Sequence, residues 1–165
     1  MQYNIAIVDD HILIAKAIGS IINEYSDNKV LYEVANGKML QDKFQQPKNI
    51  PDIVLLDISM PVMDGFETAL WLKENHPQVL ILTLSMQDDD ESLIRMIKNG
   101  AKGYLLKNVE PKELIYAIDQ MITKGYYYPE WATSKVFLSL SDEKKQSHEE
   151  LKFTEREIDF LKHLN

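Results

Sequence analysis

Five short apolar runs alternate with five helical stripes over the first 125 residues, and that alternation leaves few folds open. Asn4 to Val8, Val30 to Val34, Ile53 to Leu56, Val79 to Leu84 and Gly103 to Leu106 have the length and branching of buried strands. Between and after them, apolar residues recur at helical spacing. The first helical segment carries Ile14, Ile18, Ile21, Ile22 and Tyr25, and the second, after the Asn36-Gly37 turn, carries Leu40 and Phe44. Phe66, Ala69 and Leu70 are expected inward in the third, which runs from Gly65 to Asn75. A fourth spans Asp88 to Asn99, and Leu114, Ile118, Met121 and Ile122 line the fifth. Acidic residues at 88–90 suit the positive amino-terminal end of a helix. Asn99-Gly100 and Gly125 suit left-handed caps, and Pro111 suits a first helical position. Strand, helix, strand in strict succession implies an α/β fold: a doubly wound, five-stranded parallel sheet with helices on both faces.

Parallel strands place their carboxyl ends along one edge, where ligands of such sheets bind. Four of the five runs deliver a polar side chain there: Asp9 and Asp10, Asp57, Ser85, and Lys107. The second ends on Val34 and Ala35, as expected of a strand on the outer side. Taken singly, each polar residue is ordinary, since an Asp after a strand is usually a turn former and a Lys a solvated charge. Taken together they are not, because four separate segments must each end on the right chemical type. The stretch Asp52 to Gly65 is the clearest case. Its apolar run ends on Asp57, a charge that is costly to bury unpaired, and Met60-Pro61 and Asp64-Gly65 turn the chain just beyond.

Asp9, Asp10 and Asp57 against Lys107 leave −3 + 1 = −2 in one pocket. Such a cluster protonates unless a cation joins it. An all-oxygen donor set with no His or Cys nearby selects a hard divalent ion, and Mg2+ suits a site that also admits phosphate. His11 is read as a helix-start residue rather than a base. Asp57, between metal and lysine, is then a carboxylate nucleophile of the aspartyl-phosphate kind. Lys107 and the metal would clamp the phosphoryl oxygens. A hydrogen bond from Ser85 would reward only the phosphorylated state and bias a conformational equilibrium.

These residues resemble the receiver domains of two-component response regulators, over residues 3 to about 124. The resemblance implies a flavodoxin-like sheet of order 2-1-3-4-5 flanked by five helices. It makes Asp57 the phosphoacceptor and Asp9 and Asp10 the acidic pair at a Mg2+ ion, with the backbone carbonyl of Ser59 as a further ligand. Lys107 and Ser85 become the phosphoryl-binding lysine and switch hydroxyl, and Tyr104 the aromatic whose rotation accompanies activation. Ser59 and Gln87 hold the positions that tune dephosphorylation. The phosphoryl donor would be a sensor histidine kinase. Self-association on phosphorylation is an open outcome, through the helix at Asp88 to Asn99 or the outer faces of the first and last helices. Asp9-Asp10-His11-Ile12 and Leu106-Lys107-Asn108 look like the NarL/LuxR-type subfamily, with Ile12 and Asn108 standing where proline is common.

The expected organisation is a receiver domain at 1–125, a connector helix and polar linker at 126–150, and an incomplete helix-turn-helix domain at 151–165. Ala132, Val136 and Leu140 give the connector helix an apolar side, expected to pack on the receiver. Ser141 to Glu150 has no apolar residue. Thr154 and Glu157 stand in capping-box spacing, with Phe153 and Ile158 placed for a hydrophobic staple. Thr154-Glu-Arg-Glu157 resembles the opening helix of a LuxR-type domain, so DNA contact is expected only through the part that is missing.

A net charge of −8 argues against nucleic acid binding by the chain as it stands. The chain has no cysteine, no apolar run near the ~20 residues of a membrane span and no signal pattern, and is read as a soluble cytoplasmic protein. Two other classes fit less well. Aspartyl-nucleophile phosphatases of the haloacid-dehalogenase kind place an acid/base Asp two positions after the nucleophile, where this chain has Ser59. A dinucleotide-binding module wants a glycine-rich first turn, where this chain has Asp9-Asp10-His11. No turnover of an external substrate is expected.

Overall fold

The structure, a computed structural model, describes residues 2–86, 88–139 and 141. Gln87, Leu140 and the proposed helix-turn-helix start therefore lie outside the described residues. The chain divides into two compact units, Met1–Pro129 and Glu130–Asn165. In the second, residues 130–139 are helical.

In the first unit, strands β1 (Asn4–Val8), β2 (Lys29–Val34), β3 (Ile53–Asp57), β4 (Leu80–Ser85) and β5 (Gly103–Leu106) alternate with helices α1 (Ile12–Tyr25), α2 (Gly37–Lys43), α3 (Gly65–Asn75), α4 (Asp90–Lys98) and α5 (Pro111–Lys124). All neighbouring strands run parallel, in the order β2-β1-β3-β4-β5. This is the flavodoxin-like arrangement expected from the sequence. Successive strand residues point to opposite faces, so each strand feeds two cores. Ile5, Ile7, Ile53, Leu55, Leu82 and Leu105 meet the α1 and α5 residues Ile18, Ile22, Leu114, Ile118 and Met121. Ala6, Val8, Val54, Leu56 and Ile81 meet Leu40 of α2, Phe44 just after it, Ala69 and Leu72 of α3 and Met96 of α4.

The helix ends follow the local chemistry. Asp64 and Glu67 close a reciprocal capping box on α3, and the Asp89 side chain accepts from Glu91 N–H at the start of α4. Gly100 and Gly125 take φ of 103° and 88° just past α4 and α5, the left-handed region that favours glycine. Two expected core residues face outward instead: Tyr25 and Leu70 are 61% and 40% exposed. Tyr25 is the last residue of α1. In α3 the position three after buried Ala69 is Leu72, which takes the inward place, while Leu70 lies one residue, about 100°, round the helix.

The chain leaving α5 returns to the sheet. Tyr104 N–H donates to the Tyr127 carbonyl and Tyr127 N–H to the Lys102 carbonyl, both at 3.0 Å, so Tyr127 covers the free rim of β5. A side chain at Gly103 would run into Leu82, Met121 and the Tyr127 carbonyl, and glycine there admits this close approach.

Candidate functional site

Strand register assembles the polar residues. Val8 pairs with Leu56, which sets Asp9 beside Asp57. Asp57 pairs with Leu84 and Ser85 with Leu106, so Ser85 and Lys107 follow along the same edge. The Lys107 N–H donates to the Ser85 carbonyl at 2.8 Å and holds the end of β5 against β4.

The Lys107 Nζ lies 2.8 Å from Asp9 Oδ2 and 3.0 Å from Asp57 Oδ1. The ammonium thus joins two carboxylates rather than Asp57 alone. The Asp57 carboxyl is raised to about 6 on balance: burial pushes it up most, the hydrogen bond and charge of Lys107 pull it down, and the nearby Asp9 charge pushes it up. Asp57 Oδ2 and Asp10 Oδ1 are buried with no hydrogen-bond partner. Orphaned anionic oxygens in a pocket of net charge −2 are the donor set of a divalent cation. Asp9, Asp10, His11 and Asp57 offer ligand atoms that all lie within 4.8 Å of one another.

His11 was not expected in this group. Its Nδ1 lies 3.0, 3.5 and 3.8 Å from oxygens of Asp9, Asp10 and Asp57, and 3.2 Å from Lys107 Nζ. The residue does start α1, as the sequence suggests, but as an N-cap whose side chain makes no capping bond. Its extended backbone (φ −85°, ψ 90°) lets its N–H donate to Asp9 Oδ1 at 2.9 Å while the ring turns toward the acids. Its place directly after Asp9-Asp10 was the available signal.

Ser85 is buried, and Tyr104 is wholly buried with its hydroxyl hydrogen-bonded to the Ser85 side chain. Burial is the main cause pushing the Tyr104 phenol up. Ser59 is exposed in the loop after β3. That loop closes tightly: Gly65 N–H donates to the Ile58 carbonyl at 2.8 Å, and Met63 N–H to the Pro61 carbonyl at 2.7 Å. Val62 between them has φ 68°. A Cβ at Gly65 would collide with the Asp57 carbonyl and the Ile58 backbone. The Lys107-Asn108 bond is trans, as no cis peptide occurs among the described residues.

Residues 5–119 match the family described as the response regulator receiver domain, and the chain belongs to that family. It is 35% identical over 125 residues to the oxygen regulatory protein NreC of Staphylococcus haemolyticus, covering 75% of this chain and 56% of that protein. The chain therefore spans about half the length of the curated relatives it matches. Its fold is similar to that of the isolated REC domain of RcsB from Salmonella enterica serovar Typhimurium, solved in the presence of phosphomimetic BeF3−. The TM-score is 0.73 at 22% identity, covering 82% of this chain and 99% of that one. A two-component response regulator of the LuxR family from Aurantimonas sp. SI85-9A1 gives 0.69 at 24%, covering 78% and 90%. Receiver domains are signalling modules. No helix among the described residues is long and apolar enough to cross a membrane.

Proposed function

We propose that this chain is the phosphorylation-controlled input of a NarL/LuxR-type response regulator and that Asp57 is its phosphoacceptor. The observation that carries the reading is the Lys107 ammonium between Asp9 and Asp57 at the strand ends. Asp57 attacks the phosphoryl group of a phosphohistidine on a sensor histidine kinase; the new O–P bond forms as the N–P bond breaks, and the kinase histidine keeps the electron pair. Lys107 holds the attacking carboxylate in place and meets the transferred oxygens with positive charge. Asp9, Asp10, Asp57 and the Ser59 carbonyl would hold Mg2+. When bound, Mg2+ supplies the charge that the −2 pocket lacks and stabilises the phosphoryl oxygens.

Ser85 and Tyr104 form the switch pair. A Ser85 hydroxyl engaged by the phosphoryl group leaves its bond with Tyr104, and the buried ring is free to repack. Ser59 and Gln87 tune the return reaction by governing approach of water. The domain plan follows the sequence reading: receiver at 1–125, connector and linker at 126–150, and from 151 the start of a DNA-binding output. Self-association on phosphorylation and a cytoplasmic location complete this reading.

Incubation with Mg2+ and a small acyl phosphate is expected to add one alkali-labile phosphoryl group per chain by intact mass, absent in Asp57→Ala. Labelling retained in that variant would move the nucleophile elsewhere.

A further inference from the structure

We propose that His11 is a nitrogen ligand of the metal site and biases it from Mg2+ toward first-row transition ions. This rests on the metal reading above. Nδ1 lies 3.0 Å from Asp9 Oδ1 and 3.2 Å from Lys107 Nζ. Asp9 Oδ1 already accepts the His11 backbone N–H, so with the ring proton on Nε2 the Nδ1 lone pair is free to face the acidic pocket and a cation held there.

The donor separations fall in the range spanned by the ligands of one ion. Adjacent ligands of an octahedral ion with bonds of about 2.1 Å stand about 3 Å apart, and opposite ligands about 4.2 Å. From Nδ1, the Asp9, Asp10 and Asp57 oxygens stand at 3.0, 3.5 and 3.8 Å. Two of these, Asp10 Oδ1 and Asp57 Oδ2, are paired with nothing else and face the same space; Asp57 is only 3% exposed. Imidazole adds no charge to the pocket but changes its softness. Oxygen-only sets suit Mg2+, while imidazole favours transition ions.

The test is pulsed EPR of Mn2+ bound to the full chain, with and without 15N-histidine labelling, beside calorimetric titrations of Ni2+ and Mg2+. The expected result is a nitrogen coupling that changes with the label and vanishes in His11→Ala and His11→Gln. Ni2+ should then bind at least about tenfold more weakly, with Mg2+ affinity falling by a smaller factor. Bound Mn2+ without nitrogen coupling overturns the proposal. Equal weakening of both ions also overturns it. If Asp10→Ala abolishes binding of both ions while no nitrogen signal is found, the metal site stands and only the role of His11 falls. Failure of wild-type protein to bind either ion removes both.

Discussion

Lys107 Nζ stands 3.0 Å from Asp57 Oδ1 with the two side chains 1% and 5% exposed, so neither charge has water to fall back on. Removing one member of a buried pair leaves the other uncompensated, a loss of roughly 3–5 kcal/mol. Lys107→Met is therefore expected to lower the stability of the chelator-treated protein by roughly 3 kcal/mol in urea unfolding at pH 7.5. A divalent ion should return part of the loss, and phosphorylation by an acyl phosphate should be slow. An unchanged unfolding midpoint would show that the buried pair contributes no net stability.

Asp57 supplies a pH dependence of definite sign. Its carboxyl titrates at about 6 in the folded chain against 3.8 ordinarily. The folded state therefore holds the proton more tightly, and the stability this contributes is full below 3.8 and lost as pH rises through 6. In metal-free protein, Asp57→Asn should gain on wild type between about pH 4 and 6, by on the order of 2 kcal/mol, and hold that gain above. Excess Mg2+ should narrow the gap, since a ligand stabilises only the chain that binds it. A gap independent of pH would show that burial of this carboxylate carries no free energy.

The loop after β3 should answer oppositely at two positions. Gly65→Ala drives a methyl into the Asp57 carbonyl and the Ile58 backbone. It is expected to cost about 2–3 kcal/mol and to weaken divalent ion binding as the strand end shifts. Val62→Gly relieves a β-branched residue at φ 68°. The left-handed region costs such residues roughly 1–2 kcal/mol, more than the entropy glycine forfeits, so a gain of about 0.5–1 kcal/mol is expected. Thermal and urea midpoints of the two variants decide both.

The architecture was readable because punctuation and period coincide: Pro111 sits where a helical stripe starts, and Asn99-Gly100 and Gly125 where stripes stop. Strand ends followed with it, since Asp9, Asp57, Ser85 and Lys107 can share an edge only in a parallel sheet. Side-chain direction was less legible. Leu70 has the right chemistry for a core and the wrong angle on its helix. The ring of His11 is aimed by φ and ψ at a helix start, which no periodicity encodes. The second contact of Lys107, to Asp9, depends on β1 lying next to β3, a neighbour relation that chain order alone hides and only the family resemblance supplied.

Tyr127 at the rim of β5 constrains what Tyr104 can do. The amide of residue 104 is held by the returning chain, and its strand by β4, so the main chain there is fixed from both sides. Any rearrangement of that tyrosine must therefore be torsional, about χ1 and χ2, because the ribbon carrying it cannot slide.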